Sequence, residues 1–325
     1  MGIKHLNRFL RTECGDSIKF VSIAELSGKK IAIDISIYMY KFHADNVLIE
    51  NIYLMLSIFR HYKITPIFVF DGKSPTEKKA LLEKRRADKK AAEKQYNKLK
   101  KELSENNDID EADKQEIISN MDLLKKQFVY ITREKIEEVK DLIRAYGATY
   151  YDAPGEADEL CAQLVIKNKV WACLSEDMDM FVYGCQRVIR YISLLNHTIV
   201  LYDNKEILNT LQMEQQELRE ICVISGTDYN MYNDNNKNAP NLHQTVKLFY
   251  RFKKQKEESS FYEWLLKNTN YIEDYELLKN IYDLFELKNC NYETVENIKI
   301  VNGPIIWDDV YNILKHDGFL FPSKV

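Results

Sequence analysis

Apolar runs in this chain repeatedly end on acidic residues. Residues 29–35 (KKIAIDI) form one such run, closing around Asp34, and residues 66–72 (PIFVFDG) repeat the form and close around Asp71. A third strand is predicted over 148–154 (ATYYDAP), and a fourth over 170–177 (VWACLSED), which again finishes in acid. Segments 188–192 and 197–202 predict a hairpin. Short continuous apolar runs bounded by turn residues are the mark of strands buried on both faces. Between them the apolar residues return at helical spacing. Val47, Leu54 and Ile58 predict one helix from about Ser36 to Tyr62. Further helices are expected over 133–146, stopping at Gly147, from Pro154-Gly155 to about Lys167, over 204–225 and through most of 233–325. Segment 104–115 (SENNDIDEADKQ) reads as a polar loop. Strands alternating with helices predict an α/β fold with a mainly parallel central sheet flanked by helices. In such sheets, ligands bind beyond the carboxyl ends of the strands.

Charge changes the picture locally. The 325 residues carry a net charge of only −4, so no global basic excess can hold a polyanion. Segment 73–101, however, holds twelve Lys or Arg against four Asp or Glu, a net of +8, and predicts a basic helix. The remainder then carries −12. The six cysteines form no CxxC pair, and Cys161 and Cys173 sit in apolar runs, so buried reduced thiols are expected rather than disulfides or a zinc site. The longest apolar patches, such as 52–59 (IYLMLSIF), are too short to span a bilayer, and Lys4, His5, Arg8 and Arg11 break any early apolar stretch. MGIKHL also lacks the Ser or Thr of a myristoylation signal. The expectation is a soluble intracellular monomer with no membrane partner.

Six acidic residues fall at or near the predicted strand ends, Asp34, Asp71, Glu156, Asp158, Asp177 and Asp179, and a seventh, Asp228, follows a predicted helical run in SGTDY. Any one of them reads as a helix cap or turn former. Together at one edge they repel strongly unless cations neutralise them. Carboxylate oxygens suit a hard ion, Mg²⁺ or Mn²⁺, and two such ions are a known arrangement for phosphodiester hydrolysis. Glu156 and Asp158 share a site only if the Pro154-Gly155 turn is not yet regular helix, because i,i+2 residues do not share a helix face. Lys78 and Arg85 are seven apart and share a face of the basic helix. The six histidines are scattered and no Ser/His/Asp arrangement is visible, so no covalent intermediate is expected.

The strings MGIKHL, IAIDIS, VFDGKSP, DAPGEADE, SEDMD and GTDY occur in the order that resembles flap endonucleases and their XPG-type, structure-specific 5′ nuclease relatives. The resemblance covers roughly residues 1–232 and implies a PIN-like nuclease core. It places the seven carboxylates on the family's metal site, where Asp158 is more commonly glutamate. It places Lys78 and Arg85 on cations that grip and activate the scissile phosphate. Tyr40 falls on an aromatic that stacks on a base beside the cut; its other reading is a core aromatic of an amphipathic helix. Gly2 resembles the family's small residue close to DNA. The basic segment, with Lys84 and Arg86 among its DNA-binding cations, resembles an inserted helical arch over about 73–135, beneath which a single-stranded 5′ end passes. Residues 233–325 would be a helical C-terminal region with a divergent helix-hairpin-helix-like element that grips duplex DNA. The implied activity is hydrolysis of DNA at 5′-flap or single-strand–duplex junctions by two Mg²⁺ ions, in replication, repair or recombination. A 5′-3′ exonuclease or a bubble or Holliday-junction nuclease is the alternative, and a catalytically inactive junction-binding protein is another. An aspartyl-phosphate phosphatase is set aside, because Ser36 stands where its second aspartate belongs.

Three departures from the pattern stand out. Asp34 and Asp71 are only 37 apart, which removes the stretch that shapes a pocket for a one-nucleotide 3′ flap. Relatives carry a Gly-x-Gly hairpin after the last carboxylate, whereas this chain has NDNNKNAPNLHQ, with Asn238 and Asn241 as residues that tolerate left-handed geometry. The ending DGFLFPSKV lacks a sliding-clamp-binding motif. These losses, with the Asn, Lys, Ile and Tyr bias, fit a compact enzyme of a large DNA virus with an AT-rich genome. The expected location is the nucleus, or the cytoplasm or replication site for a viral protein.

Overall fold

Alternation along the strands decides which helices cover which face of the sheet. In the computed structural model, which describes residues 3–105, 111–230, 239–255, 259–287 and 292–320, helix α1 (Leu6–Glu13) leads into strands β1 (Ile18–Ser22) and β2 (Lys30–Asp34). Helices α2 (Ile35–Ala44) and α3 (Leu48–His61) precede β3 (Thr65–Phe70). A pair of long helices, α4 (Lys79–Glu105) and α5 (Glu111–Gln127), is inserted before α6 (Arg133–Ala145) and β4 (Thr149–Asp152). Next come α7 (Ala157–Ile166), β5 (Ala172–Leu174), α8 (Asp179–Tyr183), β6 (Arg187–Ser193) and β7 (Thr198–Asp203). The rest is helical: α9 (Asn204–Leu211), α10 (Gln215–Ser225), α11 (Leu242–Gln255), α12 (Phe261–Asn268), α13 (Tyr275–Phe285), α14 (Tyr292–Asn297) and α15 (Trp307–His316).

The seven strands lie in the order β1-β7-β6-β5-β2-β3-β4. The five from β6 to β4 are parallel, and β7 and β1 add an antiparallel edge. Ile31, Ile33, Phe68 and Phe70 point to one face and pack with α2, α3, α6 and α15. Ala32, Ile67, Val69 and Cys173 point to the other and pack with α1, α7, α8, α10 and the C-terminal helices α11 to α13. Residues beyond 232 therefore share both cores with the strands. The chain returns to the first face along Gly147, whose amide oxygen accepts from Gly303 N at 2.7 Å. Gly147 has a φ of +74°, and a Cβ there would collide with the backbone of Gly303 and Pro304.

Some sequence expectations change, and one strand is not among those predicted. The helix expected over 36–62 is two helices, broken where Asn46 takes a φ of 58°, a left-handed conformation that asparagine tolerates. The polar segment 104–115 is largely helical outside residues 106–110, which are not among the described ones. Its polar, acidic composition carries no apolar periodicity, so it resembles a loop. Strand β1 has no apolar run because it is the exposed edge of the sheet. Asn241 does not supply a left-handed hairpin: its Oδ1 accepts from Gln244 N at 3.1 Å and caps α11. Asn238 and the rest of segment 231–238 lie outside the described residues. The five described cysteines are buried and unbridged, and no helix among the described residues is long and apolar enough to cross a membrane.

Glu220 on α10 is buried, with its Oε1 accepting from Gln216 Nε2 at 3.2 Å. Burial pushes its carboxyl up from 4.5 to about 7. Between those two values the folded chain holds a proton that the unfolded chain has lost, so stability falls as pH rises through that window. Glu220→Gln should therefore stabilise the protein at pH 8 by on the order of 3 kcal/mol and add little near pH 4.5. Urea melts at both pH values check this; an equal gain at both would refute the assignment.

Candidate metal centre

Each carboxylate is delivered by a different local device. Asp34 is the last residue of β2, and Asp71 directly follows β3. Asp177 follows β5, and Asp179 opens α8. Strand β2 lies between β5 and β3, where the chain crosses from one half of the sheet to the other. That switch point opens a crevice at the carboxyl ends of the strands. Glu156 is the extended N-cap of α7, with φ −82° and ψ 148°, whereas Asp158 lies in the first turn. The i,i+2 obstacle is thus removed by the extended backbone at Glu156. Gly72 makes this approach feasible. Its N–H donates to Gly155 O at 2.8 Å, and a Cβ at Gly72 would strike the Ala153 carbonyl. Asp71 Oδ1 then accepts from Ala157 N at 2.9 Å, fixing the start of α7.

Repulsion links all seven carboxylates, each through at least one neighbour. Burial, then the charges of Asp71 and Asp177, push the Asp34 carboxyl up to about 7, against a hydrogen bond from Ser175. Burial raises Asp158, which Glu156, Asp177 and Asp34 raise further and Lys78 opposes. Burial likewise raises Asp179, with Asp177, Asp158 and Asp228 adding to it. At the centre, Asp158, Asp177 and Asp179 each bring an oxygen within 4.8 Å of the others. Neither oxygen of the buried Asp179 carboxylate has a hydrogen-bond partner among the described residues. Buried carboxylates without partners are expensive. An all-oxygen donor set with an orphaned carboxylate at its centre fits a hard divalent cation.

Two cations from the base of the inserted helices cover the outer carboxylates. Lys78, in a tight turn ahead of α4, is buried and meets Glu156 Oε2 at 2.6 Å. Burial works to discharge Lys78, but Asp158, Tyr229, Glu156 and Asp179 outweigh it and hold the ammonium protonated. Arg85, on α4, reaches Asp228 Oδ2 at 2.9 Å. Lys84 and Arg86 stand exposed on the same helix and are not among the cations paired with the cluster. Tyr40 is 46% exposed on α2, with Lys89 Nζ 4.9 Å from its ring centroid. Gly2 lies outside the described residues. The sequence reading missed two participants. Ser175 donates to Asp34 Oδ2 and accepts from Asp177 N, both at 3.1 Å, tying two carboxylates together. Tyr229 donates to Glu156 Oε2 at 3.2 Å and adjoins Asp228 within GTDY, the one signal that could have marked it.

Family models agree with this arrangement. The XPG N-terminal domain matches residues 1–92 and the XPG I-region matches 147–228, together more than half of the chain. The chain belongs to the flap endonuclease/XPG family. The six carboxylates other than Asp228 and the base cations fall within those two regions, as does Asp228 at the very end of the second. Among sequence relatives, the chain is 32% identical over 251 residues to Flap endonuclease 1 of Trypanosoma brucei and 29% identical over 248 residues to that of Lodderomyces elongisporus. Both matches cover 70% of this chain, and the chain spans 61% of the length of each relative. Among solved structures, the catalytic core of Rad2 in complex with DNA substrate superposes with a TM-score of 0.67 at 20% identity, covering 98% of this chain and 95% of that one. Human GEN1 in complex with Holliday junction DNA superposes with a TM-score of 0.58 at 16% identity, covering 97% and 73%. These likenesses establish the PIN-like nuclease fold.

The repulsion at Asp179 has a measurable consequence. In chelator at pH 8, Asp179→Asn should raise the thermal midpoint, by about 1–3 kcal/mol of stability, because it removes a buried unpartnered charge. Adding Mg²⁺ should stabilise the unsubstituted protein and stabilise the variant much less. A lower midpoint for the variant in chelator would contradict this account.

Proposed function

We propose that this chain is a structure-specific 5′ nuclease that hydrolyses phosphodiester bonds in DNA at or near a junction between a 5′ single strand and a duplex. The observation that carries this reading is the buried carboxylate group of Asp158, Asp177 and Asp179, the last without a hydrogen-bond partner among the described residues, with two cations of a basic helical insertion paired to the neighbouring Glu156 and Asp228. Hard divalent cations, Mg²⁺ first, suit the centre; two of them would divide among Asp34, Asp71, Glu156, Asp158, Asp177, Asp179 and Asp228. When bound, such ions neutralise the carboxylates, activate water and screen the phosphate.

The chain's own residues supply the rest. Lys78 and Arg85 now spend their charge on Glu156 and Asp228. With those carboxylates neutralised by bound cations, Lys78 and Arg85 would be free to meet an incoming phosphodiester from their present positions. Arg85 is suited to a bidentate grip, and Lys78 to a point contact on the scissile phosphate. Tyr40, exposed beside the cluster, offers a ring face for the adjacent base once Lys89 yields it. Lys84 and Arg86 face solvent on α4 and would track the backbone of the 5′ strand. Gly2, as the family's small residue, would leave room for DNA near the N-terminus. Residues 233–325 would add duplex grip beside the core.

A 5′-labelled flap duplex with Mg²⁺ tests the reading, alongside double-flap, nicked, bubble and four-way substrates. Cleavage is expected near the flap junction. Asp177→Ala should abolish it while leaving DNA binding within about threefold. Lys78→Ala and Arg85→Ala should each lower the single-turnover rate by about a hundredfold, in line with loss of a transition-state contact, with a much smaller change in affinity. Equal turnover by Asp177→Ala would sink the metal assignment, and a preference for four-way or bubble DNA would move the chain to another branch of the family.

A further inference from the structure

Asp228 and Tyr229 are consecutive, and they meet the two base cations of the insertion one each. Asp228 pairs with Arg85 at 2.9 Å. The ring of Tyr229 lies 4.7 Å below Lys78 Nζ, and its hydroxyl donates to Glu156 Oε2 at 3.2 Å. The same Glu156 oxygen receives Lys78 at 2.6 Å, so ammonium, carboxylate and phenol form a closed triangle. The turn that presents both residues is locked. Thr227 N and Oγ1 donate to Asn230 Oδ1 at 2.8 and 2.6 Å, Tyr229 N donates to Thr227 Oγ1 at 3.1 Å, and Asn230 Nδ2 donates to Val223 O at 2.8 Å. Behind it, the Tyr229 ring packs edge-on against Phe285 of α13, with centroids 5.6 Å apart.

We propose that Tyr229 is a positioning residue for the cleavage step, an inference that rests on the nuclease reading above. Its ring face holds the Lys78 ammonium over the carboxylate centre, and its hydroxyl holds Glu156 in the same place. A lysine side chain has four rotatable bonds and would otherwise sample many positions. Ring contact with a desolvated ammonium restricts it without consuming its hydrogen-bond donors. When Glu156 turns to a cation, the ring still holds Lys78 in register for the phosphate. Through Phe285 the same tyrosine carries the position of the C-terminal helices to the base of the insertion.

The test is a double-mutant cycle on single-turnover cleavage of a 5′-flap duplex with Mg²⁺, with affinity for the same duplex measured in Ca²⁺. Y229L and Y229M should each lower the rate at least tenfold with affinity within threefold. Y229F, which keeps the ring, should recover most of that loss. In a K78A background the same Y229L or Y229M change should cost less than threefold, because the residue through which Tyr229 acts is gone. Y229M, unbranched and flexible enough to refill the space against Phe285, carries the cycle alone if Y229L loses its melting transition. Additive losses in the presence and absence of Lys78, with an active unsubstituted enzyme, would overturn the inference and leave the nuclease reading standing. Failure of the unsubstituted protein to cleave any junction substrate would overturn both.

Discussion

Mutual repulsion among buried carboxylates is the constraint around which this molecule is organised. Asp34 and Asp179 are each only a few per cent exposed, and their surroundings contain further carboxylates rather than solvent. A cluster like this forms only because stronger forces hold the backbone beneath it. Those forces are the parallel hydrogen bonding of β2 with β3 and β5 and the two cores on either side of the sheet. Lys78 and Arg85 relieve part of the repulsion from above. Relief is incomplete at Asp179, whose two oxygens find no hydrogen-bond partner among the described residues.

The helical insertion obeys a different rule. Its helices have little core of their own and are tied down mainly at their base. Tyr96 and Phe128 join α4 to the far end of α5 with centroids 5.4 Å apart. Lys126 pairs with Asp45, and Lys89 sits against the rings of both Tyr40 and Tyr130 while donating to Val129 O at 3.0 Å. The positive charge of the insertion therefore stands over the negative charge of the centre, with contacts concentrated where the two meet. Local positive charge of this kind attracts a polyanion without a global basic surface.

Substrate choice depends on parts outside this common centre. The two helices between Asp34 and Asp71 are short, and Asn46 folds them back on one another. The C-terminal helices are packed into the same cores as the strands, so their position and that of the carboxylates are mechanically joined. The chain matches 61% of the length of the relatives from Lodderomyces elongisporus and Trypanosoma brucei.

The sequence alone determined the strand–helix alternation, the acidic strand ends and the basic insertion, because burial on both faces and helical periodicity leave direct marks in composition. It also carried the family motifs, and with them all seven carboxylates and both base cations. Other features were invisible for definable reasons. The edge strand β1 lacks an apolar run, the polar segment 104–115 has the composition of a loop, and the break at Asn46 interrupts a continuous apolar pattern. Tertiary structure decided what the motifs could not. It made Glu156 extended so that it shares a centre with Asp158, left Asp179 without a partner, and turned Tyr229 under Lys78. These are relations between residues brought together from distant parts of the chain. Sequence spacing limits which residues can meet; packing sets which face, which rotamer and which partner each one finds.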